Sequence, residues 1–311
     1  MINKYLWLTI LVLNCFLQSF STQASEAFKV IGYQASWADT IETIQYGKLT
    51  HINYSFVLPN ADGSLKPIPQ LSRLKKLLKL AHQHGVKVGL AIGGWNKGDD
   101  SNFEKLASHP RSRRTFIKAV MHLVQAHQLD GIDMDWEYPD QGTSAANFLS
   151  LIKGLSAELK KANKYLSAAV VAHGPKASGI KTEVFQYLDM LNIMAYDGID
   201  HAKYDQALRS IKYWKSRSCP KSKLILGVPF YGREPYKAYK TLLQDDPNAD
   251  KKDFIAKTRY NGVLSMQQKT RLAMAQCGGL MIWELSQDVQ GDKSLLKAID
   301  DVKKMSVHQG R

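Results

Sequence analysis

The stretch Asp130-Gly131-Ile132-Asp133-Met134-Asp135-Trp136-Glu137-Tyr138-Pro139 decides how the rest of this sequence is interpreted. Because side chains alternate along a strand, a strand here places three carboxylates on one face, at positions 133, 135 and 137, and three apolar side chains on the other. Neighbouring acids repel one another and are costly to bury, so stability alone gives no reason for this pattern. The alternative is an edge strand with a solvated acidic face, but the apolar opposite face argues against it. The stretch therefore predicts a buried strand that carries a functional acidic site.

The first 24 residues differ from the rest of the sequence. Lys4 gives a short, positively charged start, residues 6–20 are mostly apolar, and small residues precede a predicted cleavage site after Ala24. This pattern predicts a secretory signal peptide over residues 1–24, and hence a secreted or periplasmic protein. The alternative is an N-terminal membrane anchor, but the apolar run is short for a spanning helix. We therefore expect no stable membrane insertion after cleavage.

The charge balance of the chain is basic. Lysines and arginines number 42 against 28 acids, which gives a formal net charge of +14. Such a balance can indicate a nucleic-acid partner. Here the basic residues are scattered over predicted helices, as in Arg73-Leu74-Lys75-Lys76, and indicate solvated helix faces. We therefore expect no nucleic-acid partner, although this surface favours contact with anionic cell-surface material.

Eight short segments after the predicted signal are apolar and rich in β-branched residues, which predicts strands. They cover residues 28–33, 49–56, 87–92, 130–139, 166–171, 190–196, 223–229 and 279–283. Segments with helical periodicity alternate with them, at residues 71–84, 102–128 with an interruption at Pro110, 145–162, 206–216, 265–276 and 293–304. Alternating strands and helices favour right-handed βαβ units, and eight such units predict an α/β protein with a (β/α)8 TIM barrel.

The sequence predicts a single barrel domain over residues 25–311. No linker and no change in composition interrupts the chain after Ala24. A doubly wound open sheet is the alternative fold. It would need a glycine-rich phosphate loop, which Gly93-Gly94 alone does not supply.

Aromatic and acidic residues gather at the carboxyl ends of the predicted strands, where barrel enzymes place catalytic groups. These residues are Tyr33, Trp37, Phe56, Trp95, Glu137, Met194, Tyr196, Asp197, Tyr231, Arg233 and Trp283. A single tryptophan is more often a core residue, but here several strand ends agree. Aromatic faces that stack on sugar rings, beside carboxylates that bond hydroxyls, predict a carbohydrate cleft.

The acids of the fourth strand indicate cleavage of a glycosidic bond, which requires a protonated carboxylic acid beside the leaving oxygen. Glu137 lies nearest the open end and is the candidate acid. Asp135, two residues deeper, raises the pKa of Glu137 when ionised, and Asp133 can share a proton with Asp135. No separate second nucleophile is visible, which favours a mechanism in which the substrate supplies its own nucleophile.

The residues Asp130, Asp133, Asp135 and Glu137 match the D-x-x-D-x-D-x-E pattern of the family 18 glycoside hydrolases, the chitinases, which this sequence resembles. The resemblance covers nearly the whole predicted mature chain, through Gly32-Tyr33, Gly93-Gly94, residues 194–197, residues 231–233 and Trp283. It implies a retaining glycosidase that cuts β-1,4 bonds in chitin or chitooligosaccharides, which are polymers of N-acetylglucosamine. We expect a monomer that needs no cofactor and no metal.

The resemblance also implies a role for each matching residue. Glu137 would protonate the glycosidic oxygen, while the N-acetyl carbonyl oxygen of the neighbouring sugar attacks its own C1 and forms an oxazolinium ion. Asp135 would hold the acetamido N–H, Asp133 would relay charge to Asp135, and Tyr196 would bond the acetamido oxygen. The other predicted substrate contacts are Trp283, Asp197, Met194, Tyr231, Arg233, Tyr33, Trp37, Trp95 and Phe56. Asp130 would be structural.

Two departures from the family pattern lead to further expectations. The family usually has Ser where this chain has Ala91, and that hydroxyl commonly supports the acid at Asp133. We therefore expect Asp133 to rely on Tyr33 alone, with a shifted pH optimum that Ala91→Ser would change. Only residues 235–263 separate strand seven from the next helix, so we expect no extra α+β subdomain and a shallow cleft.

Three alternatives stay open on the sequence alone. Cys219 and Cys277 precede neighbouring strands and form either a disulfide or two buried thiols. The substrate could instead be an N-glycan core or a peptidoglycan-type chain, since relatives acting on these share the acidic motif. A chitinase-like lectin would bind sugar without cutting it, but such lectins usually lose the acid at Glu137.

Overall fold

Eight parallel strands close into a barrel in the computed structural model, which describes residues 27–38 and 40–309. Numbered β1 to β8 in chain order, they are Lys29–Ala35, His51–Val57, Lys87–Gly93, Gly131–Asp135, Tyr165–Val171, Met190–Met194, Leu224–Pro229 and Gly279–Trp283. Each strand pairs with its neighbours along the chain, and β8 pairs with β1 to close the ring. The predicted (β/α)8 TIM barrel is confirmed. The predicted signal peptide lies outside the described residues.

Helices surround the barrel at every segment that the sequence predicts as helical, and one further short helix, Tyr239–Asp245, was not predicted. Numbered α1 to α8, they are Leu71–Gln83, Ser101–Ser108, Pro110–His127, Thr143–Lys161, Tyr204–Ser216, Tyr239–Asp245, Val263–Gln276 and Leu295–Gln309. Pro110 does interrupt the long helical segment, because it opens α3 at a position where a helix needs no backbone donor. After β1 and β5 the chain forms only short 3-10 helices. Within the described ranges, no helix is both long and apolar enough to cross a bilayer.

The segment between β7 and α7 contains only small elements. Tyr231–Gly232 pairs with Lys237–Ala238, Phe254–Ile255 pairs with Thr258–Arg259, and α6 lies between these two ribbons. This described segment inserts no α+β subdomain, as the sequence predicts.

Two apolar layers hold β4 in place. Its apolar face belongs to the outer core between strands and helices, where Trp136 stacks on Phe103 with ring centroids 5.2 Å apart. Trp136 Nε1 also donates a hydrogen bond of 2.9 Å to Asp100 Oδ2. The inner layer fills the barrel with Ile31, Tyr33, Ala91, Tyr165, Met190, Tyr196, Ile225 and Met281. The acidic face of β4 therefore points into the barrel, beside this inner layer.

The acidic stretch spans the barrel from one end to the other. Asp130 lies at the amino end of β4, where its carboxylate accepts a hydrogen bond of 2.8 Å from the Val88 amide and lies 2.7 Å from His82 Nε2. At the other end β4 stops at Asp135, although the sequence predicted a strand through residue 139. Glu137 therefore lies just beyond the strand, at the mouth of the barrel.

Cys219 and Cys277 are two separate, buried thiols in the structure and not a disulfide. Burial raises the pKa of each thiol to about 12. The sequence left a disulfide and two buried thiols as alternatives, and the structure has the two buried thiols.

Candidate active site

Asp133 lies inside the barrel, below the other acids, and is fully buried. Three side chains donate hydrogen bonds to its carboxylate: Tyr33 Oη at 2.6 Å, Ser167 Oγ at 2.5 Å and Asn192 Nδ2 at 2.9 Å. Burial raises the pKa of Asp133, and the bonds from Ser167, Tyr33 and Asn192 act to lower it. The expectation that Asp133 relies on Tyr33 alone is therefore wrong.

The reason lies in which neighbouring strand supplies the hydroxyl. Ala91 on β3 and Ser167 on β5 both lie directly opposite Asp133 in the sheet, one on each side of β4. In this chain the hydroxyl that reaches the carboxylate is on β5, and with the bonds from Tyr33 and Asn192 both carboxylate oxygens already accept hydrogen bonds. Ala91 instead packs in the inner apolar layer.

Ser167→Ala is expected to change the pH profile of hydrolysis, whereas Ala91→Ser is not. The Ser167 bond lowers the pKa of Asp133, so its loss raises that pKa. The buried pair of carboxyl groups on Asp133 and Asp135 then stays protonated to a higher pH. The acidic limb of kcat/KM against pH should then move upward by roughly one unit. Profiles of both variants and the parent on a chitooligosaccharide, the substrate that the family resemblance implies, provide the measurement. A shift in Ala91→Ser alone would contradict the role given to Ser167.

Asp135 ends β4 and lines the cleft at the barrel mouth. Its side chain is 3% exposed, and its Oδ1 atom has no hydrogen-bond partner among the described residues. Burial, then the charges of Glu137 and Asp133, raise the pKa of Asp135 well above its ordinary value. An unpaired buried acceptor costs about 1–3 kcal/mol. A ligand that donates an N–H to Oδ1 would remove this cost.

Glu137 has the electrostatic environment of a general acid. Burial is the main cause that raises the pKa of Glu137 to about 7, and the charge of Asp197 also raises this pKa. A hydrogen bond with Tyr138 and the charge of Lys176 act to lower it. A carboxylic acid with such a pKa keeps its proton near neutral pH and can still release it. Glu137 can therefore protonate a leaving group in the cleft.

Two glycines allow β3 to approach β4 closely at the mouth. Gly93 and Gly94 have φ angles of +114° and +89°. The Gly94 amide donates a hydrogen bond of 2.8 Å to the Asp135 carbonyl oxygen, and a Cβ atom on Gly93 would lie 2.1 Å from that oxygen. Because only glycine fits this contact, the Gly93-Gly94 pair fixes the backbone position of Asp135.

Asp197 lies three residues after the end of β6 and carries an ionised carboxylate at the edge of the cleft. Its Oδ1 atom accepts hydrogen bonds from Tyr231 Oη at 2.6 Å and Arg233 Nη1 at 2.7 Å. Burial acts to raise the pKa of Asp197, but its hydrogen-bonding and charged neighbours, Tyr231 and Arg233 among them, outweigh burial and lower the pKa to about 2. The carboxylate is thus a fixed acceptor for a ligand hydroxyl.

Trp283, the last residue of β8, lies at the centre of an aromatic group. Its ring stacks on Phe56 at 5.5 Å and meets Tyr33 edge-on at 5.6 Å between centroids. Trp37 lies 6.4 Å from Trp283 and is 65% exposed. Flat aromatic faces at a mouth that also holds carboxylates suit the binding of sugar rings.

A cleft of about 690 Å³ brings most of the predicted site residues together. Those that line it are Tyr33, Phe56, Trp95, Asp135, Glu137, Met194, Tyr196, Asp197, Arg233 and Trp283. Three others do not line it. Asp133 is buried beneath Asp135, Tyr231 is a buried donor to Asp197, and Trp37 lies to one side against the Phe56 and Trp283 rings.

The cleft also has lining residues that the sequence reasoning did not assign, among them Tyr138, Ala169, His173, Lys176, Ile199 and Gln206. Ser167 and Asn192, which support Asp133, were missed as well. Alternation along β5 puts Ser167 and Ala169 on the same face, so this pair could have been found. His173 and Ile199 lie in loops and Lys176 lies in the short 3-10 helix Pro175–Gly179, so no periodic signal marks these three residues.

Lys176→Met is expected to move the alkaline limb of the pH profile upward. Lys176 Nζ lies 5.4 Å from the Tyr138 ring centroid and 5.9 Å from that of Trp95, and its charge lowers the pKa of Glu137. Without this charge Glu137 holds its proton to a higher pH, by on the order of half a unit. Since the protonated form is the acid, activity should persist to a correspondingly higher pH.

The measurement for Lys176→Met is kcat/KM against pH on a soluble chitooligosaccharide. Lys160→Met, in the last turn of α4 and outside the cleft, is the matched control and should leave the alkaline limb in place. An unchanged limb in Lys176→Met, or a shift to lower pH, would contradict the influence of Lys176 on Glu137.

Comparison with protein families and curated proteins gives consistent matches. A model of the glycosyl hydrolases family 18 matches residues 29–288. The chain is 29% identical to the probable chitinase 2 of Drosophila melanogaster, over 86% of this chain and 63% of that protein. It is 28% identical to an endochitinase of Manduca sexta, over 72% of this chain and 49% of that protein. The chain thus spans less than two thirds of the length of these relatives.

Two solved structures share the architecture over most of the chain. A chitinase from Bacteroides thetaiotaomicron is 30% identical with a TM-score of 0.81, covering 91% of this chain and 98% of that chain. The GH18 chitinase ChiB from the chitin utilization locus of Flavobacterium johnsoniae is 28% identical with a TM-score of 0.80, covering 91% and 96%. The likeness therefore extends to nearly the whole of this barrel.

Proposed function

Because the chain belongs to the glycosyl hydrolases family 18, we propose that it hydrolyses β-1,4 bonds in chitin or chitooligosaccharides. The observation that carries this proposal is the row of three acids that runs from the inside of the barrel to its mouth. Asp133 is fully hydrogen-bonded, Asp135 has an unpartnered buried oxygen, and the pKa of Glu137 is about 7. Such a row has the parts that an acid-catalysed, substrate-assisted cleavage needs. The chitinases among its relatives support the same substrate class.

In the first step Glu137 gives its proton to the glycosidic oxygen. As the bond from C1 to that oxygen breaks, the N-acetyl carbonyl oxygen of the same sugar attacks C1 and forms an oxazolinium ion. Asp135 Oδ1 accepts the acetamido N–H, which aligns the carbonyl oxygen for attack, and its negative charge stabilises the cation. Asp133 shares charge with Asp135 from below.

The remaining cleft residues hold the sugar for this step. Tyr196 is buried beside the cleft, and among the described residues its hydroxyl has only a long contact of 3.8 Å with Met281 Sδ, so it can donate to the acetamido oxygen. Asp197 accepts a sugar hydroxyl, and Trp283 stacks on a ring face. Water then attacks C1 and gives its proton to the Glu137 carboxylate, which restores the acid and retains the configuration.

Product analysis on three substrates tests the proposed function. The protein is incubated separately with chitohexaose, an N-glycan and peptidoglycan, and products are identified by mass spectrometry and their first-formed anomer by NMR. We expect shortened chitooligosaccharides with the β anomer formed first. If sugar products form only from the N-glycan, or only from peptidoglycan, that polymer and not chitin is the substrate. Binding of chitohexaose with no release of sugar from any substrate would make the protein a lectin.

We also propose that residues 1–24 direct export and are then removed. The supporting pattern is the apolar run of residues 6–20 followed by small residues up to Ala24. Expression of the full chain in a secreting host should give an exported protein whose first residue is Ser25. An exported or cell-retained product that still begins at Met1 would contradict this proposal.

A further inference from the structure

His201 lies in the loop between β6 and α5, four residues after Asp197, and is 3% exposed. Its two ring nitrogens have different partners. Nδ1 lies 3.0 Å from the backbone nitrogen of Asp197, and Nε2 lies 3.0 Å from the backbone oxygen of Tyr231. An amide N–H can only donate and a carbonyl oxygen can only accept. The partners therefore assign the neutral tautomer, in which Nδ1 accepts and Nε2–H donates.

His201 holds Asp197 by its amide and not by its carboxylate. Nδ1 is 3.6 Å from Asp197 Oδ1, which is too long for a hydrogen bond, whereas the amide contact is of normal length. Asp197 has a φ angle of +63°, in the left-handed region that non-glycine residues adopt at a cost of about 1–2 kcal/mol. The bond to Nδ1 stabilises the amide in the orientation that this unusual turn requires.

The same ring also fixes the residue that holds the Asp197 carboxylate. His201 Nε2 bonds the Tyr231 backbone, the two rings lie 4.9 Å apart, and Tyr231 Oη donates to Asp197 Oδ1 at 2.6 Å. His201 therefore contacts the backbone at the end of β6 and the backbone after β7. The carboxylate of Asp197 is set by both connections.

A buried lysine of α7 holds the loop between β6 and α5 in place. Lys269 on α7 is 1% exposed, and its Nζ atom donates hydrogen bonds of 2.6 Å to the Ala202 carbonyl oxygen and to Asn261 Oδ1. Asn261 in turn donates to the Pro229 carbonyl oxygen at the end of β7. Because the residue after His201 is tied to α7 in this way, the imidazole has little freedom to move with Asp197.

We propose that His201 is a positioning residue for substrate binding, because its Nδ1 acceptor sets the orientation of Asp197 towards the sugar. This inference rests on the proposed function, in which Asp197 accepts a sugar hydroxyl. The property that matters is the acceptor at the Nδ1 position. The donor at Nε2 matters less, because pairing with Ala238 also holds the backbone of Tyr231 in place.

Two amide variants separate these properties. In His201→Asn the side-chain oxygen takes about the place of Nδ1, so the acceptor for the Asp197 amide is kept and the donor to Tyr231 is lost. In His201→Gln the amide nitrogen takes about the place of Nε2, so the donor is kept and the acceptor is lost. A purely structural role of the ring predicts similar losses in both variants.

The experiment measures chitotetraose affinity by calorimetry in the Glu137→Gln background and kcat/KM in the otherwise native chain. We expect His201→Asn to stay within about threefold of its parent and His201→Gln to lose about tenfold in both quantities, which is the effect of losing one hydrogen bond between neutral groups. Thermal midpoints of all variants are recorded beside these values. The predicted order of affinities at similar midpoints supports the inference.

Other outcomes overturn it. Equal losses in both variants, or a larger loss in His201→Asn, would show that the ring acts through packing or through its donor. Failure of both variants to fold would likewise assign a structural role. If the parent releases no sugar from any substrate, the proposed function fails, but the affinities in the Glu137→Gln background still decide the role of His201.

Discussion

Glu137→Gln is expected to lower kcat by about 10³-fold while leaving the affinity for chitotetraose near that of the parent. The glutamine side chain has nearly the same size but cannot give a proton to the glycosidic oxygen. Its amide can still form hydrogen bonds, so the substrate contacts of the cleft remain. The loss should therefore fall on kcat rather than on binding, which steady-state kinetics and calorimetry measure separately.

Glu284→Gln is the matched control for this change. Glu284 is also a buried glutamate at the barrel mouth, and burial raises its pKa too. It accepts a hydrogen bond of 3.0 Å from the Ser286 amide and does not line the cleft. We expect Glu284→Gln to keep most of the activity. A loss in this control as large as that in Glu137→Gln would mean that the charge state of the whole mouth, and not the proton of Glu137, limits the reaction.

The sequence predicted the barrel well because its signal is repeated eight times. Each strand is a short apolar run, and the following helical periodicity leaves few ways to arrange the chain. Ends of elements were less accurate. The acidic alternation from residue 130 to 139 suggested one long strand, but the ladder stops at Asp135 and Glu137 lies beyond it. Alternation alone does not show where hydrogen bonding to neighbouring strands ends.

The support of Asp133 could not be predicted with the same success. It depends on which residues of β5 and β6 lie beside Asp133, and therefore on the register between strands. The pattern of a single strand places a side chain on a face but does not specify its neighbour across the sheet. The sequence reasoning considered Ala91 on β3, which has no hydroxyl to donate. It overlooked Ser167 on β5, on the other side of β4, which does donate to Asp133.

Loops limited the prediction of the site itself. Tyr231 follows β7, so its position near the mouth could be read from the sequence, but its side chain turns behind Asp197 and does not line the cleft. Lys176 reaches the site from a short 3-10 helix and His201 from a loop, and neither segment has a periodic pattern. Their contribution becomes visible only from distances between elements far apart in the chain, such as the 3.0 Å contact of His201 with the Tyr231 backbone.

Asp135→Asn is expected to lower kcat by about 10²–10³-fold, with a smaller effect on KM. Asparagine keeps an oxygen that can accept the acetamido N–H, so much of the binding contact survives. What it lacks is the negative charge beside the forming oxazolinium cation, which matters most in the transition state. Burial of Asp135 to 3% exposure makes this charge effective, since little water screens it.

Asp130→Asn supplies the matched control, because it makes the same substitution at the opposite end of the same acidic stretch. The side-chain oxygen of the substituted asparagine would still accept from the Val88 amide, so we expect nearly parental kcat/KM and at most a modest fall in thermal midpoint. Comparing kcat and KM of the two variants on chitotetraose separates an electrostatic effect at the cleft from a general effect of removing an acid from this stretch. If Asp135→Asn raised KM and left kcat near the parental value, Asp135 would act as a binding residue only. The charge stabilisation proposed for the oxazolinium ion would then have to come from another group.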